Sequence, residues 1–183
     1  MQTASPLPSA APPPAILDIE ASGFGAGSYP IEIGFVLPDG AGFCTLIRPL
    51  PEWTHWDPAA ERVHGISRLA AQCHGRAAPK VAQLLNEQLH GMTVYCDAWA
   101  HDYAWLHVLF AATGEQPRFR LEHVMSLIPQ GEMERWPLAK QAAAEQLHLR
   151  RHRASNDARV LQRALTCLHS PPAEGAARHA PTN

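Results

Sequence analysis

Three early stretches rich in apolar residues and bounded by turn residues, AILDIEAS, IEIGFVL and GFCTLIR, predict β-strands over residues 15–22, 31–37 and 42–48. GFGAGSYP joins the first pair and PDGAG the second, where Asp39-Gly40 favours a tight hairpin turn, so the domain opens as a meander. After a Trp- and Pro-rich connection over residues 49–58, a period near 3.6 takes over. It predicts a short helical stretch ending at VHGIS and helices over about residues 79–90, 100–112, 132–147 and 156–169. MTVYC supplies a fourth strand, and residues 119–124 a short fifth. Strands that alternate with helices after a meander predict an α/β fold, a mixed sheet with helices on its faces. Residues 1–14 and 170–183 are rich in Pro, Ala and Ser and read as disordered tails around one domain over 15–169.

The first strand breaks its own apolar character with two acids. Asp18 and Glu20 lie two apart, so both side chains leave the same face of the strand and repel. Ile16 shares that face while Leu17 and Ile19 fill the other, as in a central strand. Two readings stand: acids on the solvated face of an edge strand, or hard oxygen ligands around a divalent cation. The acids come at the C-terminal end of the strand, the edge where open α/β sheets bind ligands.

Later helices add two more. Asp102 heads the apolar stripe of Trp105, Leu106, Leu109 and Phe110, and Asp157 begins the series Leu161, Ala164, Leu168, so both acids point inward at helix starts. Either one alone fits a cap or a dipole contact. Together with Asp18 and Glu20 they place four carboxylates around one spot, a cluster that requires cations. Oxygen ligands select Mg²⁺ or Mn²⁺, and a pair of ions ~4 Å apart clamps an in-line phosphoryl displacement. Asp97, just after the fourth strand, is a rival acid that reads better as a turn or capping residue. His152, in HRASND before the last helix, is either a surface histidine or a neutral imidazole that takes a proton from attacking water. Arg150, Arg151 and Arg153 flank it, as phosphate contacts or as a solvated helix end.

With 183 residues, 46% hydrophobic and 17% charged, the chain suits a single globular domain with a substantial core. A formal net charge of −2 argues against a general basic coat for nucleic acid, so any polyanion needs a local site. Cys44, Cys73, Cys96 and Cys167 are spread without zinc or disulfide spacing and fit reduced thiols in a cytoplasmic protein. Neither an export signal nor an apolar stretch of membrane length is visible, so no membrane partner is expected.

These segments together resemble the DEDDh 3′-5′ exonucleases, the superfamily of ribonuclease T, oligoribonuclease and the proofreading epsilon subunit of bacterial DNA polymerase. The family's first motif, Asp-x-Glu with small residues and Gly, matches DIEASGF at Asp18, Glu20 and Gly23. Its second, an Asp at a helix start with Leu four residues on, matches HDYAWL at Asp102 and Leu106. Its third, His-x-Ala-x-x-Asp, matches HRASND at His152, Ala154 and Asp157, and VHGIS resembles the His-Gly-Ile segment at His64 to Ile66.

The resemblance implies a ribonuclease-H-like five-stranded sheet and two Mg²⁺ or Mn²⁺ ions held by Asp18, Glu20, Asp102 and Asp157. It implies His152 as general base and release of nucleotides from the 3′ end of single-stranded DNA or RNA. Ala21, Ser22, Gly23, Phe24 and His64 are the implied substrate contacts; Phe24 also reads as a core residue. Many members have Thr-Thr where this chain has Ala21 and Ser22, and an aromatic residue where it has His101. The alternative is a catalytically silent nucleic-acid-binding or polymerase-associated module on the same fold; the full set of acids plus His152 argues against it. A protein-interaction domain using the Pro-rich tail is weaker still. No motif encodes oligomeric state, which leaves a homodimer open beside a monomer, and none reports the 2′-hydroxyl that separates RNA from DNA.

Overall fold

The three early apolar stretches pair with one another. In the computed structural model, which describes residues 12–169, β1 (Ala15–Ala21), β2 (Pro30–Val36) and β3 (Gly42–Leu46) form an antiparallel meander. Gly40, at φ 84°, takes the left-handed conformation needed to close the β2–β3 turn, donating its N–H to Leu37 O at 3.0 Å.

Six helices follow among the described residues: α1 (Pro58–His64), α2 (Arg68–His74), α3 (Ala78–Gln88), α4 (Trp99–Thr113), α5 (Trp136–Leu147) and α6 (Ala154–His169). Strands β4 (Thr93–Cys96) and β5 (Arg120–His123) join parallel to β1, giving the order β3-β2-β1-β4-β5. This is the mixed five-stranded α/β sheet of a ribonuclease-H-like fold, with β1 at its centre.

Because β1 is central, helices cover both of its faces. Leu17, Ile19 and Ala21 pack into one core with Val81 and Leu85 of α3 and Leu106 and Leu109 of α4. Ile16 and Val36 pack into the other with Trp136 of α5 and Leu161, Ala164 and Leu165 of α6. Asp18 and Glu20 share the parity of Ile16, so they face the α5–α6 layer from a buried central strand. The reading of these acids as a solvated edge is therefore set aside.

Some boundaries moved for identifiable reasons. Helix α2 has no counterpart in the sequence reading; it is seven residues long, too short for a clear period, and starts where Ser67 Oγ accepts the Ala70 N–H at 3.1 Å. Helix α5 begins at Trp136 rather than residue 132, and Gln130–Arg135 forms a 3₁₀ turn instead. Pro137 lacks an N–H and fits only a first turn, so a helix cannot run through it from 132. Helix α6 begins two residues early, at Ala154, which leaves Asp157 in its first turn. All four cysteines are free, and no helix among the described residues is long and apolar enough to cross a membrane. The expected tails over 1–14 and 170–183 lie outside the described residues, except for 12–14.

Candidate active site

The C-terminal end of β1 and the first turns of α4 and α6 meet at one edge of the sheet. A register shift between Glu20 and Ala21 bends β1 as it leaves the ladder. Beyond it the chain turns sharply through Gly23, at φ 143°, where a Cβ would overlap Asp57 and His55. Ser22 supports that turn from beneath. Its hydroxyl is 3.1 Å from His55 Nδ1 and accepts the Tyr29 N–H at 3.1 Å, so Ser22 is buried in the loop's own bonding rather than turned outward.

Burial and mutual repulsion dominate the electrostatics of the acids. Desolvation, followed by the fields of Asp102, Glu20 and Asp157, raises the Asp18 carboxyl well above its ordinary range. Desolvation and the charges of Asp157 and Glu32 push Glu20 up to about 8. Asp102, buried on the inward face of α4, is raised by desolvation to about 7 even though the neighbouring Cys96 thiol and Ala98 N–H partly offset that burial. Its Oδ2 is buried with no hydrogen-bond partner. A buried carboxylate oxygen without a partner, near other acids, is a donor that a cation could satisfy. The donors are hard oxygens, the ligand type of Mg²⁺ and Mn²⁺. The residues present therefore fit the metals that the sequence implied.

Two other acids are satisfied locally. Asp157 accepts from Arg151 Nε at 2.6 Å and from the His152 N–H at 2.7 Å. Asp97 is held by Lys140 Nζ at 2.6 Å and does not cap α4, whose N-cap is Ala98. Asp97 thus lies in the β4–α4 turn, as expected, but it caps no helix and instead pairs with Lys140 of α5. Two of the flanking arginines are engaged, Arg151 with Asp157 and Arg153 with Glu32, whereas Arg150 is exposed with its guanidinium near Gly65.

His152 is exposed and left-handed, at φ 59°. One ring nitrogen of His152 and one carboxylate oxygen each from Glu20 and Asp157 lie within 4.8 Å of one another. That distance suits an imidazole that passes a proton beside the acids, and it also suits an imidazole that binds a cation.

Two clefts meet at the acids, and Asp18, Glu20 and His152 line both. One, about 370 Å³, has largely apolar walls that include Ala21, Gly23, Phe24, His64 and Trp105. The other, about 500 Å³, is more polar and includes Lys140, Gln141, Arg151 and Asp157. Phe24 is 65% exposed, which excludes the core reading; its ring meets His101 edge-on at 5.0 Å, and His101 stacks on Trp105 at 5.6 Å. His64 is buried. Its Nδ1 accepts the Ile66 N–H at 3.0 Å, which leaves the proton of the neutral ring on Nε2, a buried atom with no partner of hydrogen-bond geometry. Burial lowers its pKa from the usual value and favours that neutral form. A larger cleft of about 830 Å³, lined by Lys80, Asn86 and Arg118 among others, contains none of the acids.

Sequence reasoning missed Glu32, His55 and Asp57. His55 lies in a loop without any pattern, but Asp57 did leave a signal, an Asp before Pro58, and it caps α1 by accepting the Ala59 N–H at 2.7 Å. Glu32 did leave a signal, a lone acid inside an otherwise apolar strand, IEIGFV.

No family model matches the sequence, and no curated protein matches it. Solved structures do match in fold. Exonuclease I from Methylocaldum szegediense superposes with a TM-score of 0.64 at 16% identity, over 86% of this chain and 41% of that one. E. coli exonuclease I in complex with a dA16 oligonucleotide gives 0.61 at 12% identity, over 85% of this chain and 41% of that one. S. pombe Pop2p in its Mg²⁺- and Mn²⁺-bound form gives 0.52 at 16% identity, over 83% of this chain and 81% of that one. The chain thus spans about two fifths of the length of the exonuclease I chains, and the likeness is one of fold.

Proposed function

We propose that the protein is a metal-dependent 3′-5′ exonuclease that hydrolyses phosphodiester bonds at the 3′ end of single-stranded nucleic acid. What supports this reading is that Asp18, Glu20, Asp102 and Asp157 line two adjoining clefts, that the charges of the other three raise Asp18, and that Asp102 Oδ2 is buried and unpartnered. These acids would hold Mg²⁺ or Mn²⁺, two ions in the full arrangement, which would supply Lewis-acid stabilisation of the charge that develops on the phosphate and on the departing 3′ oxygen.

The remaining work belongs to side chains of this chain. His152 takes a proton from the attacking water at its free ring nitrogen, a role that its nearness to Glu20 and Asp157 supports. The apolar cleft receives the terminal nucleotide, with the exposed face of Phe24 against its base and buried, neutral His64 in the cleft wall. Ala21 and Gly23 add no side-chain bulk there, and Ser22 keeps the loop in shape. The fold's likeness to exonuclease I with a dA16 oligonucleotide supports single-stranded DNA as a substrate, and the bound metals of Pop2p support the choice of ions. Free thiols fit a cytoplasmic setting. All five acid and base groups come from one chain, so a homodimer is not needed to complete the site.

A silent nucleic-acid-binding module is the second reading, and the Arg151–Asp157 ion pair favours it, because a guanidinium already neutralises one acid. Release of label from a 3′-labelled single strand with Mn²⁺, compared between wild type and Asp18→Asn, separates the two. The exonuclease reading expects release only by wild type; the silent module expects none by either protein.

A further inference from the structure

Glu32 is 0% exposed, a fully buried carboxylate on β2 directly opposite Glu20 in the strand register. It reaches the start of α6. Arg153 Nε donates to Oε1 at 3.0 Å and to Oε2 at 3.1 Å, Arg153 Nη2 adds a further bond to Oε1, and the Ala154 N–H donates to Oε2 at 2.9 Å. Two residues along the same face of β2, Gly34 lets the backbone of Ala154 and Ser155 approach so closely that a Cβ would overlap it. Strand β2 therefore grips residues 153–155 at two adjacent points.

His152 immediately precedes that grip. Its φ of 59° is disfavoured for a residue with a side chain and persists only where the surroundings over-determine it. On its N-terminal side, Arg151 Nε and the His152 N–H both bind Asp157. On its C-terminal side, the anchor is Glu32. We infer that Glu32 is a positioning residue for His152: by fixing Arg153 and Ala154 against β2 it holds the left-handed turn that aims the imidazole at Glu20 and Asp157. The inference rests on the exonuclease reading above. Desolvating a carboxylate and a guanidinium offsets most of what such a pair adds to stability, whereas several bonds from two consecutive residues to one carboxylate fix direction.

Glu32→Gln keeps the shape but loses the charge that orients Arg153. Single-turnover kcat and KM on a labelled single strand, Mn²⁺ affinity by calorimetry and Tm would be measured for Glu32→Gln, His152→Ala and the double variant. Misplacing a reacting group by about an ångström costs up to roughly 100-fold, so at saturating Mn²⁺ Glu32→Gln should lower kcat by about 10- to 100-fold with KM within about twofold. In the His152→Ala background the same change should lower kcat by less than about twofold, since the aimed group is already gone. A purely structural ion pair would instead leave kcat intact below Tm, or multiply its loss with that of His152→Ala, and either result overturns the inference. If Glu32→Gln does not fold, Arg153→Lys provides the same cycle with the same expected and contrary results. Wild-type turnover by His152→Ala would overturn the base assignment and this inference with it; a slow His152→Ala beside an unaffected Glu32→Gln overturns this inference alone.

Discussion

Each acid in the cluster is costly alone, and the direction of that cost is measurable. The Glu20 carboxyl rises from its ordinary 4.5 to about 8 in the folded chain. Between those pH values the folded protein holds a proton that the unfolded chain releases, so the stabilisation linked to Glu20 is complete below 4.5 and lost as pH rises towards 8. In chelator, the Tm of wild type should therefore fall across that window more than the Tm of Glu20→Gln. Glu20→Gln and Asp18→Asn should both abolish hydrolysis while remaining at least as stable as wild type without metal. A clear loss of metal-free stability would mean that these acids serve structural ion pairs. His152→Ala should slow single turnover by about 10²- to 10⁴-fold and flatten the acid limb of the rate profile, with Mn²⁺ affinity nearly unchanged. Loss of Mn²⁺ binding in calorimetry would make His152 a ligand, the other role that its place beside Glu20 and Asp157 allows. Asp102→Asn should remove activity that Asp97→Asn keeps, because Asp97 pairs with Lys140 across a half-exposed contact worth about 0–1 kcal/mol.

The elements show which of these features were legible in the sequence. An apolar run with two acids two residues apart was enough to find β1 with both acids on one face, and the apolar stripes of α4 and α6 were enough to turn Asp102 and Asp157 inward. What escaped was non-local. The Glu32–Arg153 contact joins residues 121 apart in the chain, and the fit of Gly34 under Ser155 depends on how α6 settles on β2. No window along the sequence contains both partners. Gly34→Ala tests that docking: the added methyl has backbone on its far side, so overpacking should cost on the order of 1–3 kcal/mol. Turnover should fall well below the assay Tm, because the helix carrying Asp157 must shift. Leu85→Ala, a cavity in the other core on α3, should cost about 2–5 kcal/mol and leave kcat of the folded protein near wild type. Equal kcat losses in the two variants would show that activity follows global stability rather than the seat of α6.

At the scale of the whole molecule, a central strand carries two acids to the sheet edge where helices from both faces begin, and clefts of about 370 and 500 Å³ open on either side of them. Such an arrangement is suited to a chain end that enters one cleft and presents a phosphodiester to the acids. Calcium should support strand binding but poor turnover, since its looser coordination leaves the reacting oxygens less well aligned. The most direct test of the central claim follows a 5′-labelled linear single strand and a circular single strand in parallel with Mg²⁺ or Mn²⁺, using wild type and Asp18→Asn. Wild type should shorten the linear strand stepwise from its 3′ end, leave the circle intact and stop in chelator, while Asp18→Asn leaves both strands whole. Cleavage of the circle, or shortening that persists in Asp18→Asn, would contradict a carboxylate-bound metal site acting on a free 3′ end.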